Sequence, residues 1–97
     1  MTQLHIVAVL YAKAGQEARL RTQLAELVEP SRQELGNLRY ELLLDEADPR
    51  RFVFVELWEN EKAQATHHNE SPHIRTFQTC HWDAVEKVEV FRLNQIA

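Results

Sequence analysis

The first strand of this chain is apolar on both of its alternating sides. Residues 4–12 read LHIVAVLYA, so leucine, isoleucine and alanine occupy one side, while His5, two valines and Tyr11 occupy the other. This composition is typical of a strand that is covered on both faces. The segment Lys13-Ala14-Gly15 ends it. We therefore predict a central β-strand over residues 4–12.

A helical period follows over residues 16–35. Its apolar positions recur every three or four residues, at Leu20, Leu24, Leu27, Val28 and Leu35. Charged residues, Glu34 among them, are predicted to occupy the outer face. Pro30 lacks a backbone donor, so it either kinks this helix after Val28 or restarts it from a first turn that contains the proline. Gly36-Asn37 closes the helix, because both residues tolerate a left-handed backbone.

Two further strands form a predicted hairpin. Residues 38–45 alternate between large apolar and charged side chains, which is typical of a strand with one wetter face. A loop at 46–50 leads to a strand over 51–59, whose two sides are again apolar except at Glu56. A carboxylate on an apolar face needs a partner. A last strand, rich in valine, is predicted over residues 84–93.

Two short helices are predicted between the third and last strands. Asn60 caps the first of them, which runs to His68. Ser71 followed by proline caps a second helix, which runs to about Cys80. His73 and Phe77 lie four residues apart and therefore share a face of this second helix.

The order strand, helix, strand, strand, helix, strand predicts an α+β, ferredoxin-like βαββαβ domain over residues 1–97. In that antiparallel sheet the first and third strands lie in the middle, and the second and fourth lie at the edges. Two helices cover only one face of the sheet. The other face carries more apolar surface than a soluble monomer exposes, so we expect a homodimer with sheets packed face to face, a dimeric α+β barrel.

Composition and charge exclude several classes of partner. The net charge is −4, with acidic and basic residues interspersed, so no continuous basic face exists for nucleic acid. With two glycines in the chain, no Gly-rich phosphate loop is present. No apolar run is long enough to span a membrane, the first residues lack signal-peptide features, and the single cysteine makes no internal disulfide. We expect a soluble, cytoplasmic protein.

Several segments, in order and spacing, resemble the antibiotic biosynthesis monooxygenase domains, dimeric α+β barrels that include quinol monooxygenase-like proteins. The resemblance covers essentially the whole chain. Its components are Ala12–Glu17, Pro30–Glu41, the loop Asp45–Pro49, Glu56-x-Trp58, and His68-x-x-Ser71-x-His73-x-x-x-Phe77. The fold also supports isomerases, haem-degrading enzymes and proteins without a known reaction.

The resemblance implies oxygenation of a small electron-rich aromatic, such as a quinol, phenol or anthrone, without metal or flavin. The protein must then supply a base and a dry aromatic pocket. We expect His73 to be the base, with His68 as second choice, and Trp58 to wall the pocket. The further candidate substrate-binding residues are Tyr11, Tyr40, Glu56, His67, Ser71 and Phe77. Glu56 either orients a histidine or pairs with an arginine or a helix backbone donor.

Three questions stay open at this point. Counting from Trp58 places the first pocket histidine at His67, whereas counting back from Ser71 places it at His68. Cys80 and His81, together with His68 and His73, suggest a zinc site, but their spacing matches no standard zinc pattern. Haem is disfavoured because the first strand lacks the asparagine used by the haem-degrading relatives. We therefore expect no cofactor and no metal. The alternative functions are isomerisation of a small phosphorylated metabolite and non-catalytic binding of a small molecule.

Overall fold

Four antiparallel strands form one sheet in the computed structural model, which describes residues 2–97. The strand order is β2-β3-β1-β4. The strands are β1 (Leu4–Ala12), β2 (Asn37–Leu44), β3 (Arg51–Trp58) and β4 (Val85–Leu93). This is the ferredoxin-like α+β fold, and the predicted placement of the first and third strands in the middle of the sheet is confirmed.

The helices pack on one face of this sheet and leave the other face open. They are α1 (Glu17–Ala25), α2 (Val28–Arg32), α3 (Glu61–Glu70), α4 (Pro72–Thr76), a π-helical turn (Phe77–His81) and a 3-10 turn (Trp82–Ala84). None of the helices within residues 2–97 is long and apolar enough to cross a membrane.

Strict alternation on the two central strands separates the core from the open face. Even-numbered residues of β1 and β3 are buried under the helices, and odd-numbered residues are half-buried on the open face. The core is made of these even-numbered side chains and the inner residues of the helices, including Ile6, Leu10, Leu20, Leu24, Phe52, Phe54, Trp58, Ile74 and Phe77. The period-2 pattern in the sequence predicted these two sets of side chains, and the structure shows which set faces the helices.

The segment that was expected to be one helix over residues 16–35 is two helices. α1 ends at Ala25, and α2 starts at Val28 with Pro30 as its third residue. The proline fits there because the first-turn N–H groups of a helix have no intrahelical partner. Because α2 ends at Arg32, the helical period does not continue beyond it. Leu35, expected in the core, is 94% exposed, so that prediction is wrong.

Gly36 connects α2 to β2 with a left-handed backbone and lies directly against α3. Its φ is +84°, and a Cβ atom added to it would meet Ala63 Cβ at 2.5 Å. We expect Gly36→Ala to lower the free energy of unfolding by about 2–4 kcal/mol, because strain in the left-handed region and overpacking add up.

Gly15 provides the matched control for this substitution in urea denaturation. Its φ of +85° is nearly the same, but no atom lies within 4 Å of the added Cβ. Gly15→Ala therefore reports the backbone strain alone, about 1–2 kcal/mol. Equal losses in the two variants would show that α3 moves away freely and that the close contact costs nothing.

Candidate active site

A cluster of polar side chains lies in the layer between the helices and the sheet. We call it the polar cluster, and its members are Ser31, Glu34, Glu56, His67, Ser71 and His73. Ser31 comes from α2, and Glu34 from the turn that follows it. His67 is on the inner side of α3, Ser71 and His73 lie at the start of α4, and Glu56 is on β3. Four elements therefore bring together residues from distant parts of the sequence.

Glu34 lies at the centre of the polar cluster. Its Oε1 atom is 2.5 Å from His67 Nδ1, and its Oε2 atom accepts a hydrogen bond from the Ser71 hydroxyl. His73 Nε2 lies 3.8 Å from Glu34 Oε1. An ionised carboxylate has no proton to donate, so the contact with Glu34 places a proton on Nδ1 of His67. One carboxylate thus orients both a histidine and a serine.

His73 is the imidazole of the polar cluster that reaches solvent. Its side chain is 19% exposed, and that of Glu34 is 21% exposed. His73 Nε2 lies 3.0 Å from the hydroxyl oxygen of Ser31, which is fully buried. A molecule that approaches the cluster from outside therefore meets His73 and Glu34 first.

Aromatic rings pack around His67 on its inner side. The His67 ring is 4.7 Å from the Trp58 ring and 5.3 Å from the Tyr40 ring, measured between centroids. Trp58 is fully buried, and its indole N–H donates to Glu56 Oε1 at 2.9 Å. The partner of Glu56 is thus the indole two residues along the same strand, not a histidine, an arginine or a helix donor as expected.

Burial shifts the protonation of three groups in and beside the polar cluster. Burial raises the pKa of Glu56 to about 7, and the nearby Glu34 adds to this, while the bond from Trp58 opposes it. Burial also raises the pKa of Tyr40 far above its usual value. The pKa of His67 is lowered by burial, which outweighs the opposing hydrogen bond to Glu34. His67 and Tyr40 are therefore neutral at physiological pH.

The structure brings together six of the nine residues singled out from the sequence. Trp58, Tyr40, Glu56, His67, Ser71 and His73 all lie in or against the polar cluster. The Ser71 hydroxyl donates to Glu34 rather than capping α4, although Ser71 does precede Pro72 at the first helical position. Trp58, expected as a pocket wall, lies behind His67 without solvent contact.

Three predicted site residues lie elsewhere. His68 is exposed and lies outside the polar cluster, because adjacent residues of α3 point in different directions and His67 takes the inner one. Tyr11 lies on the open face of the sheet, with its ring beside the cations of Arg51 and Lys87. Phe77 is in the core and packs against Trp82, at 5.9 Å between ring centroids.

Ser31 and Glu34 are the site residues that the sequence reading missed. Both were placed on a helix by the period of residues 16–35, and Glu34 was assigned to its outer face. The available signal was the expected disruption at Pro30, after which the helical period no longer determines which side chains point inward.

A family model described as antibiotic biosynthesis monooxygenase matches residues 3–79 of the chain. The chain belongs to this family. A crystal structure of the Pseudomonas aeruginosa protein PA3566 is 31% identical with a TM-score of 0.94, and the match covers 100% of this chain and 97% of that one. One from Shewanella oneidensis is 30% identical with a TM-score of 0.91, and the match covers 97% and 91%. The resemblance inferred from the sequence is thereby confirmed.

Two further proteins are similar to this chain. A crystal structure named only as an antibiotic biosynthesis monooxygenase is 26% identical with a TM-score of 0.89, covering 97% of this chain and 99% of that one. The uncharacterized protein sll1783 of Synechocystis is 31% identical over 70 residues, which is 72% of this chain and 47% of the relative. The chain thus spans about half the length of this curated relative.

Proposed function

We propose that this protein is a cofactor-independent monooxygenase that oxidises a small electron-rich aromatic, a quinol, phenol or anthrone, with dioxygen. The observation that carries this proposal is a solvent-reaching imidazole, His73, next to a buried network that orients its neighbours. Deprotonation of such a substrate gives an anion that can donate electrons to dioxygen. Family membership supports the reaction class, and the polar cluster supplies a base for it.

The reaction balances without an external reductant. For an anthrone-like methylene group, the substrate loses a proton to the base, and its carbanion forms a carbon–oxygen bond with dioxygen to give a hydroperoxide. Loss of water from the hydroperoxide leaves a carbonyl group. One oxygen atom remains in the product, the other leaves as water, and the methylene carbon supplies all four electrons.

The roles of the other residues follow from their positions. Once His73 has taken a proton, its positive charge lies 3.8 Å from the Glu34 carboxylate, which stabilises it. Ser31 holds the His73 ring, while Ser71 and His67 fix the carboxylate. Trp58 and Tyr40 pack against the inner side of the His67 ring and hold its orientation.

Oxygen uptake by the purified protein with a panel of quinols, phenols and anthrones tests this function. We expect uptake in the presence of a chelator, with one atom of labelled dioxygen in the product. Binding of an aromatic compound without any oxygen uptake would contradict the proposed oxygenase activity and favour the non-catalytic alternative.

A shallow groove at the edge strand β2 favours a second candidate, isomerisation of a small phosphorylated metabolite. The groove has a volume of about 390 Å³ and is lined by Arg32, Asn37, Leu38, Arg39, Tyr40 and Glu41. Its two arginines could bind phosphate. However, Arg39 already pairs with Glu41 at 2.8 Å, so a phosphate would have to displace that carboxylate. Phosphate-dependent chemical-shift changes at both arginines would favour this alternative.

The open face of the sheet is the surface that we propose to bury in a homodimer. It carries apolar side chains from all four strands: Val7, Val9, Leu43, Val53, Val55, Leu57, Phe91 and Leu93. Leu43 is 50% exposed and Phe91 is 46% exposed. An apolar face of this kind on a soluble protein favours a protein partner, and a second copy is self-complementary by symmetry.

We expect sedimentation at micromolar concentration to give twice the chain mass of 11.4 kDa. Phe91→Glu should shift the protein towards the monomer, because it places a charge on each side of the buried interface. Leu35→Glu is the control, since Leu35 is exposed on a turn away from this face. A folded parent monomer, or equal effects of the two substitutions, would contradict the proposed interface.

A further inference from the structure

Glu34, His67 and His73 offer three metal-ligating atoms in one place. These atoms all lie within 4.8 Å of one another. Two atoms bound to one ion at about 2.1 Å lie roughly 3.0–3.4 Å apart in octahedral or tetrahedral geometry. Glu34 Oε1 is 2.5 Å from His67 Nδ1 and 3.8 Å from His73 Nε2, so shifts of less than about 1 Å would bring these two pairs to such distances. The two imidazole nitrogens lie within 4.8 Å of each other and would approach by up to roughly 1.4–1.8 Å. The ion would replace the proton that His67 Nδ1 shares with Glu34, because a ligating nitrogen must be deprotonated.

The donor set has the chemistry of a divalent transition-metal site. Two imidazoles with one carboxylate are ligands for zinc, and the same set is typical of non-haem iron. The carboxylate is already held from its other oxygen by the Ser71 hydroxyl, and the His67 ring is fixed by Trp58 and Tyr40. Partners that orient ligands in this way are characteristic of metal sites.

We propose that Glu34, His67 and His73 bind one divalent transition-metal ion per chain, with Zn²⁺ as the probe, and that the bound ion inhibits the enzyme. Three protein ligands leave a fourth position for water. The inhibition rests on the proposed function, because a metal on His73 Nε2 leaves the ring proton on Nδ1, so the imidazole can no longer accept a proton. This site differs from the zinc site that the sequence suggested, whose candidate ligands were Cys80, His81, His68 and His73.

The structure does not assemble that earlier set. His68 and Cys80 are exposed, and His81 Nδ1 lies 2.9 Å from the side-chain nitrogen of Gln23. Across residues 2–97, no group of three potential ligands includes Cys80 or His81. These residues therefore serve as controls for the proposed site.

Equilibrium dialysis of the full chain against Zn²⁺ tests binding independently of activity. We expect about one zinc per chain, X-ray absorption that shows nitrogen and oxygen neighbours at about 2.0–2.1 Å, and a raised melting temperature with zinc. Glu34→Gln and His73→Ala should each weaken binding by more than the roughly 10- to 100-fold typical of losing a partner of a metal ligand. His68→Ala and Cys80→Ser should bind like the parent protein.

Several outcomes would overturn the site. These are zinc well below one per chain, a sulfur neighbour at about 2.3 Å, or unchanged binding in a Glu34→Gln variant whose melting temperature without metal matches the parent. Oxygen uptake separates the two proposals. Zinc binding by a protein that is inactive with and without metal leaves the metal site standing and contradicts the oxygenase. Activity that is undiminished by stoichiometric zinc overturns the proposed inhibition.

Discussion

Replacing His73 by alanine is expected to lower the turnover of an aromatic substrate that the parent protein oxidises by a factor of about 10² to 10⁴, the range typical of losing a general base. The fold should persist, because the His73 side chain is half-buried at the start of a short helix and not part of the apolar core. Oxygen uptake at saturating substrate measures the loss. Added imidazole should restore part of the activity, which would not occur if the variant were merely misfolded.

His68→Ala is the matched control for this loss of activity. His68 lies on the exposed side of α3, only five residues away, and should turn over substrate like the parent protein. Loss of activity in His68→Ala with full activity in His73→Ala would reassign the base. Full activity in both variants would show that neither His73 nor His68 serves as base and would favour desolvation of an already acidic substrate as the source of the rate.

The sequence predicted those parts of the molecule that depend on periodicity. Two-sided apolar patterns identified β1 and β3 as central strands, and their alternation divided each strand into two sets of side chains. The order of elements then fixed the sheet, because few topologies accommodate it. The resemblance contributed the expectation that His73 and Trp58 lie in one region.

The predicted positions of Glu34 and Leu35 are wrong because the helical periodicity of residues 16–35 ends before them. α2 ends at Arg32, and in the turn that follows it Leu35 is exposed while Glu34 contacts His67 and Ser71. A counting argument could not decide between His67 and His68, because either register of α3 satisfies the spacing. Tyr11 is a different case: alternation on β1 places it with His5, which is the open face in the structure, whereas Trp58 lies on the other face, and the predicted site contained both.

Glu56 is a buried acid whose ionisation should reduce stability as the pH rises. Its pKa is raised from an ordinary 4.5 to about 7 in the folded state. Because the folded pKa is the higher one, the folded state binds more protons between these values. The contribution of Glu56 is therefore fully present below about pH 4.5 and is lost as the pH rises through about 7.

Comparing the parent protein with Glu56→Gln isolates this effect. Glutamine stays neutral, and its carbonyl oxygen can still accept from the Trp58 indole. We expect the free energy of unfolding of Glu56→Gln, minus that of the parent, to increase by about 2 kcal/mol between about pH 5.5 and pH 8.5. One pKa unit is worth about 1.4 kcal/mol, and only the parent loses stability over this range. Urea denaturation across this pH range measures it.

The lowered pKa of His67 has the opposite effect, because a neutral buried histidine costs stability as the pH falls through its unfolded value near 6.5. This contribution is present in both proteins and cancels in the difference. Glu46→Gln is the control, since Glu46 is exposed in the hairpin loop and its substitution removes a carboxylate without touching the buried acid. The same dependence on pH in Glu56→Gln and Glu46→Gln would mean that Glu56 ionises freely beside Trp58 and that burial does not hold its proton.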